Sequence, residues 1–137
     1  MQFFLDANIL FSAAKSDGAV RSLVTLLLAG QHECWADGYV AEEARRNIRA
    51  KAPDSVAELD RQIARLRLSV SAPEAAPAKA FGGLAEKDRP VLAAAAALGC
   101  EILLTGDRSH FGPFYGRSLA GVAIHSPRSL FEHLFGS

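Results

Sequence analysis

Acidic side chains stand directly after two apolar segments that have the character of buried strands. Asp6 follows the apolar run at residues 2–5, and Asp107 follows the run at 101–105 with one glycine between them. A third acid, Asp88, opens the helical pattern that leads into the second of these runs. Ligands of open parallel α/β sheets bind outside the carboxyl ends of the strands, and the helices begin at that same edge. We therefore expect the three carboxylates to lie in one crevice.

Carboxylates gathered in this way repel one another, at a cost of several kcal/mol for ionised groups about 4 Å apart in a partly buried site. A hard cation removes that repulsion, and oxygen ligands with retained waters suit Mg²⁺ or Mn²⁺. Such ions activate water and stabilise the charged oxygens of a phosphate during in-line displacement. The acids therefore indicate metal-assisted phosphate chemistry. Glu42 and Glu43, one turn into another helix that begins at the same edge, add a further candidate carboxylate.

Each acid also has a purely structural interpretation. Asp6 can end a strand with an Asx turn, and Asp107 suits the turn that follows Gly106. Asp88 can serve as a helix N-cap, with Pro90 in the first turn. One of the two glutamates is expected to be solvated helix surface. Only the joint position of the acids at the ends of successive α/β units favours a site.

The elements that must position these acids alternate between strand and helix. Short apolar runs predict strands at 2–5, 31–35, 68–70, 101–105 and 122–124. Helical spacing of apolar residues predicts helices at 9–14, 19–29, 39–50, 53–67, 91–98 and 127–135, the last capped by Ser126. The strands are continuous apolar runs, which is typical of a parallel sheet covered on both faces. The Pro- and Ala-rich stretch 71–85 is predicted to be a loop inside the domain.

Length and composition limit the remaining possibilities. The chain has 137 residues, half of them apolar, which favours one domain over residues 1–137. Its 15 basic and 15 acidic residues give a formal net charge of zero, so any functional charge must be local. Cys34 and Cys100 cannot form a disulfide framework and are expected to be buried free thiols. The sequence shows neither a signal peptide nor an apolar run of the roughly 20 residues that span a bilayer, so we expect a cytoplasmic protein without membrane contact.

Four segments, taken in order, resemble the motifs of PIN-domain endoribonucleases, the family that includes the VapC-like toxins of toxin–antitoxin pairs. They are FLDANIL at 4–10, YVAEEARRNI at 39–48, DRPVLAAA at 88–95 and LLTGDRSHF at 103–111. The tail IHSPRSL at 124–130 resembles the strand and helix that end many such domains. The similarity spans nearly the whole chain. It implies an α/β fold, a single PIN-like three-layer sandwich with a central, mostly parallel sheet and helices on both faces.

The resemblance implies a catalytic and metal-binding cluster of four acids: Asp6, Glu43, Asp88 and Asp107. Glu43 fits the family pattern better than Glu42 because it precedes a small residue and then two arginines. Two polar residues match those that orient the acids, Asn8 and Thr105, and two bases that adjoin the acids are expected to contact substrate, Arg46 and Arg108. His110 is expected to be a structural or substrate-contacting loop residue. The implied activity is hydrolysis of RNA phosphodiester bonds with Mg²⁺ or Mn²⁺.

RNA contact needs local positive charge, which the stretch 45–67 can supply. It carries seven basic residues against three acids, and basic groups attract the phosphate backbone in a salt-dependent way. A solvated helix face with ion pairs is the structural alternative for most of them. The family resemblance further implies a cognate antitoxin and a homodimer as partners.

Two other functions compete with the nuclease. A haloacid-dehalogenase-like phosphatase also places an aspartate after its first strand, but it needs a second one two residues later, where this chain has Asn8. It also needs an acid a few residues beyond Asp107, and the stretch 109–115 offers none. A PIN-like module that binds RNA or protein without cutting is the other alternative, because four acids in place do not prove activity.

Overall fold

The computed structural model describes residues 1–69 and 81–136, and its elements alternate between strand and helix. The strands are β1 (Gln2–Leu5), β2 (Glu33–Asp37), β3 (Arg67–Ser69), β4 (Ile102–Leu104), β5 (Ser118–Leu119) and β6 (Val122–His125). The helices are α1 (Ala7–Lys15), α2 (Ala19–Ala29), α3 (Gly38–Lys51), α4 (Val56–Ala64), α5 (Arg89–Ala97) and α6 (Pro127–Phe135). Short 3-10 helices occupy Pro53–Ser55, Glu86–Asp88 and Gly112–Phe114.

The strands form one sheet in the order β3-β2-β1-β4-β6-β5. All neighbouring pairs are parallel except β5 and β6, which are antiparallel. β1 lies between β2 and β4, and the register places Phe3 opposite both Cys34 and Ile102. From β1 the chain continues to β2 and β3 on one side of the sheet, and from β4 it continues to the strands β5 and β6 on the other side. The strand order therefore reverses between β1 and β4, which is where ligands bind in sheets of this kind.

The two central strands explain why the predicted strands read as continuous apolar runs. Phe3, Phe4 and Leu5 of β1 are fully buried, as are Leu103 and Leu104 of β4. Because successive residues of a strand point to opposite faces, both faces of the sheet are covered. α1 packs against α3 and α4, whereas α5 packs against β4 and β6. The prediction of a mostly parallel α/β sheet with covered faces is confirmed.

The predicted helix at 53–67 is wrong at both ends. A 3-10 turn at Pro53–Ser55 precedes α4, and α4 ends at Ala64. The last turn tightens, because the amides of Arg65 and Leu66 bond to carbonyls three residues back. The chain then enters β3, where Arg67 pairs with Trp35 of β2.

Other predicted boundaries also shift. β2 begins two residues later than predicted and continues to Asp37. The pair Ser118–Leu119 forms β5, which the sequence pattern did not indicate. Most of the predicted loop at 71–85 lies outside the described residues, but Phe81 and Leu84 near its end are buried in the core.

Both cysteines are buried and free, as predicted. Burial raises the pKa of the Cys34 and Cys100 thiols to about 12, so both stay protonated near neutral pH. Across residues 1–69 and 81–136, no helix has the length and apolar character that crossing a membrane would require.

Removing core volume from β4 should destabilise the protein far more than the same change at the sheet edge. Leu103 is fully buried, and Leu68 of β3 is 47% exposed. We expect Leu103→Ala to lower the free energy of unfolding by about 2–5 kcal/mol and Leu68→Ala by no more than about 0.5 kcal/mol. Urea denaturation measures both, and equal losses would contradict the central position of β4.

Candidate metal centre

Asp6 is the most buried of the four predicted acids, with 6% of its surface exposed. It directly follows β1 and serves as N-cap of α1, where Oδ1 accepts a hydrogen bond of 2.8 Å from the amide of Ala7. Its other oxygen, Oδ2, accepts from the Thr105 hydroxyl at 2.8 Å and from the Asn8 amide at 3.2 Å. The Asx-type interaction expected of Asp6 therefore uses only one of its oxygens.

Burial raises the pKa of Asp6 to about 6. The hydrogen bonds from Thr105 and Ala7 oppose that change, whereas the negative charges of Glu43 and Asp107 add to it. A raised pKa is expected of a carboxyl group that is removed from water and lies near other negative charges. Ionised Asp6 is thus a costly group in the metal-free protein.

Asn8 and Thr105 tie the ends of β1 and β4 together. The Asn8 side chain donates to Thr105 Oγ1 at 3.2 Å, and its carbonyl oxygen accepts from the Gly106 amide at 2.6 Å. Thr105 Oγ1 also accepts from the amide of Asp107 at 3.2 Å. Both side chains predicted to orient the acids thus bond directly to Asp6 and to the segment that carries Asp107.

Asp107 uses one carboxylate oxygen in a turn and the other in a contact with His110. Its Oδ1 accepts from the amides of Ser109 and His110 at 3.0 and 3.1 Å, so the turn interpretation holds for this oxygen. Its Oδ2 lies 2.8 Å from Nδ1 of His110. The imidazole therefore sits against the oxygen that the turn leaves free.

Asp88 does not cap the helix that it precedes. It ends the 3-10 helix before α5, and its side chain makes no capping hydrogen bond. Its Oδ2 is buried and has no hydrogen-bond partner among the described residues, although His110 Nδ1 lies 3.2 Å away. A buried carboxylate oxygen without a donor is a costly arrangement, and a cation is the kind of partner that would remove the cost.

Glu43 approaches the same place from α3. Asp37 is the N-cap of that helix, and its carboxylate accepts from the Val40 amide at 2.9 Å. Glu43 lies with Tyr39 and Asn47, one turn before and after it, along one side of the cleft, whereas Glu42 is exposed. The spacing of four residues is the helix period that places side chains on one face.

The four predicted acids line a single cleft of about 190 Å³. The cleft is lined by Asp6, Ala7, Asn8, Tyr39, Glu43, Asn47, Lys87, Asp88, Val91, Asp107 and His110. The sequence did not single out two of its polar residues, Tyr39 and Asn47, whereas Lys87 was expected to flank the acids. The positions 39, 43 and 47 repeat at helical spacing, which is the signal that could have revealed the other two. Lys87 directly precedes Asp88, but nothing in its neighbours indicates which way it faces.

The two predicted substrate-contacting arginines lie outside this cleft. Arg46 is exposed on α3 and is not part of the cleft lining. Arg108 is also exposed and lines a second cavity, on the other side of the 106–108 segment. In the part of the chain that the structure describes, neither forms a hydrogen bond or an ion pair with a predicted acid.

The ligand atoms present suit a divalent cation. One atom each from Asp88, Asp107 and His110 lie within 4.8 Å of one another, and Asp6 and Glu43 face the same cleft. Carboxylate oxygens are the ligands that Mg²⁺ and Mn²⁺ prefer. The unpartnered oxygen of Asp88 and the mutual repulsion of the acids both favour a bound cation.

The basic stretch at 45–67 divides into paired and unpaired residues. Three of its bases form ion pairs: Arg45 with Asp60 at 3.9 Å, Arg61 with Glu58 at 2.7 Å and Arg67 with Glu33 at 3.1 Å. The solvated-helix interpretation fits Arg45 and Arg61, whereas Arg67 lies in β3 and pairs with a residue of β2. The other four form no ion pair with the described part of the chain and are exposed: Arg46, Arg49, Lys51 and Arg65.

Comparison with known proteins supports the fold. No protein-family model and no curated protein matches the chain. Its fold is similar to that of a chain in the crystal structure of VapBC2 from Rickettsia felis bound to a DNA fragment from their promoter. The TM-score is 0.63 at 17% sequence identity, over 92% of this chain and 98% of that chain. The chain therefore has a PIN-like α/β fold of the kind found in VapC.

The raised pKa of Asp6 predicts how the stability of the metal-free protein depends on pH. Between the unfolded value of 3.8 and the folded value of about 6, the folded state holds a proton that the unfolded chain has released. Stability from this group therefore falls as pH rises through that window. Relative to Asp6→Asn, the wild type should lose roughly 1–1.5 kcal/mol between about pH 5 and about pH 7.5.

Urea denaturation in EDTA at the two pH values measures this difference. The exposed residue Asp17 provides a control, because Asp17→Asn should follow the pH dependence of the wild type. A wild-type minus Asp6→Asn difference that stays constant with pH would mean that Asp6 is not a strained carboxylate.

Proposed function

We propose that this protein is a Mg²⁺- or Mn²⁺-dependent endoribonuclease that hydrolyses RNA phosphodiester bonds, and that it acts as the toxin of a toxin–antitoxin pair. One observation carries the proposal: Asp6, Glu43, Asp88 and Asp107 come from four separate segments and line one cleft at the switch point of the sheet. Repulsion among these four carboxylates does not stabilise the fold. A cation that binds them and attracts a phosphate substrate best explains why they lie together.

The four carboxylates are the residues that would hold the metal, with His110 next to two of them. When bound, a divalent ion supplies a water of lowered pKa and positive charge for the oxygens of the reacting phosphate. Asp88 is suited to such a ligand role because its buried Oδ2 has no hydrogen-bond partner among the described residues. No side chain needs to act as a covalent nucleophile.

The neighbours of the acids keep them in place before any ligand arrives. Thr105 and Asn8 hold Oδ2 of Asp6, and two backbone amides hold Oδ1 of Asp107. Partners of this kind fix the orientation of ligating groups and tune their affinity. Two of the four acids, Asp6 and Asp107, are therefore oriented by the protein before substrate binds.

Positive charge for the RNA backbone comes from the cleft and its surroundings. Lys87 lines the cleft, and Arg46 is exposed one turn along α3 from the acids. If the four acids are neutralised by metal, the 15 basic residues of the chain outweigh the remaining acids despite a formal net charge of zero. RNA binding would then weaken as salt is raised.

The proposal that this protein is a toxin rests on its structural similarity to a chain of the VapBC2 complex. The Rickettsia felis VapBC2 complex was crystallised on a DNA fragment from its promoter. By analogy, we propose a cognate antitoxin, a homodimer and a cytoplasmic location for this chain. A phosphatase of the haloacid-dehalogenase type fits less well, because the amide of Asn8 occupies the position where that chemistry needs an acid.

Two adjacent glutamates allow a matched test of the nuclease. Glu43 lines the cleft and Glu42 is exposed, so Glu43→Gln and Glu42→Gln make the same chemical change at neighbouring positions. We expect Glu43→Gln, Asp6→Asn and Asp107→Asn each to lower RNA cleavage at least about a hundredfold, and Glu42→Gln to leave it within about twofold of wild type. Cleavage of a labelled single-stranded RNA, followed on gels with Mg²⁺, Mn²⁺ or EDTA, measures this.

Equal cleavage in EDTA, or full activity of the Asp6 and Asp107 variants, would exclude a metal nuclease. Absence of any cleavage by folded wild-type protein would instead favour a PIN-like module that binds RNA or protein without cutting it.

The toxin proposal predicts an effect in living cells. Induced expression of the wild type should stop growth of a bacterial host, whereas Asp6→Asn should not. Co-expression of the small gene next to this one should restore growth. Normal growth with abundant, folded wild-type protein would contradict the toxin role without affecting the nuclease assay.

A further inference from the structure

A second cavity lies beside the metal cleft, on the other side of a three-residue wall. It has a volume of about 560 Å³, and we call it the Tyr115 pocket. Its lining is Gly106, Arg108, Gly112, Tyr115, Ser126, Pro127 and Arg128. Asp107 lines the metal cleft, whereas its neighbours Gly106 and Arg108 line the pocket. The two cavities therefore adjoin the same 106–108 segment, and a chain molecule that follows this segment can occupy both.

The Tyr115 pocket has a different chemical character from the cleft. None of the acids in the described part of the chain lines it, and its lining combines Arg108 and Arg128 with tyrosine, proline, serine and glycine. Arg108 forms no ion pair with any residue in the described ranges 1–69 and 81–136. Within the same ranges Arg128 pairs only with Glu132, at 3.4 Å on the surface, and exposed pairs of this kind are weak. Both cations are therefore available to an anionic ligand.

Tyr115 is held in place at this pocket. Its hydroxyl donates to the carbonyl of Thr105 at 3.3 Å, the same residue that holds Asp6. The side chain remains partly exposed. A fixed aromatic ring beside free arginines is the arrangement that stacks unpaired bases and contacts their phosphates. The volume lies within the range of small-ligand sites, about 300–1,000 Å³.

We propose that the Tyr115 pocket binds an unpaired nucleobase of the RNA, next to the phosphate held at the metal cleft. The proposal rests on the nuclease function for its biological meaning, but binding in the pocket does not require cleavage. The base stacks on Tyr115, and Arg108 and Arg128 contact the flanking phosphates. Target choice then comes partly from this pocket, because the cleft contacts only atoms that all nucleotides share.

Binding of short RNA in EDTA tests the pocket separately from catalysis. The probes are four fluorescently labelled single-stranded homopolymers of about four nucleotides, one for each base, and fluorescence anisotropy measures their affinity. We expect Tyr115→Leu to weaken binding about tenfold, and Tyr115→Phe, which keeps the ring, to stay within about twofold of wild type. Arg108→Gln should weaken binding, whereas Arg117→Gln, at an exposed position outside the pocket, should not.

A second variant fills the pocket without disturbing the hydroxyl of Tyr115. A Cβ on Gly112 would meet only the Cβ of Arg108, at an ordinary distance of 3.9 Å, so Gly112→Val is expected to fold. It should weaken binding at least about fivefold. Circular dichroism confirms that each variant is folded before its affinity is used.

The outcomes separate the two proposals. Loss of RNA binding in Gly112→Val and Tyr115→Leu, with no cleavage under any metal, would support the pocket and contradict the nuclease. Cleavage by the wild type, with unchanged affinity and unchanged base preference in both folded variants, would overturn the pocket and leave the nuclease intact. Equal weakening by Tyr115→Phe and Tyr115→Leu would show that the hydroxyl, and not stacking, matters, and would also overturn the proposal.

Discussion

The carboxylate of Asp6 is placed where the fold has removed most of the water that would stabilise its charge. Glu43 and Asp107 add negative charge nearby, and together with burial they raise the pKa of Asp6 to about 6. Ionised carboxylates in such a setting are unfavourable unless a cation accompanies them. The amide of Ala7 and the side chains of Asn8 and Thr105 donate hydrogen bonds to this carboxylate. The repulsion from Glu43 and Asp107 remains, and a bound cation would remove it.

The hydrogen bonds around Asp6 also couple the site to the fold. Asn8 and Thr105 bridge the carboxyl ends of β1 and β4, the two strands between which the strand order reverses. The same network reaches Gly106 and the amide of Asp107, so the turn that presents Asp107 is fixed by the residues that hold Asp6. Stability of the sheet centre and geometry of the cleft therefore depend on the same few contacts.

The sequence predicts the positions of the four acids well where periodicity and strand ends decide where a residue lies. β1 and β4 are buried on both faces, so their apolar runs and the acids that follow them are visible without a structure. The end of α4 and the position of β3 are decided by pairing with β2, which local pattern does not encode. β5 has only two residues, and the turn after it needs positive φ at Ala120 and Gly121. The contact of His110 with Asp88 depends on the path of a loop, and no spacing rule could have predicted it.

The position of a bound metal ion would decide whether the four carboxylates form a metal site. A crystal grown with Mn²⁺ and measured near the manganese absorption edge would reveal the ion by its anomalous scattering. We expect a strong peak in the cleft, coordinated by Asp88 and Asp107 and adjoining Asp6 and Glu43, and no such peak in crystals of Asp88→Asn. An empty cleft at saturating Mn²⁺, or a peak that persists unchanged in Asp88→Asn, would contradict this expectation.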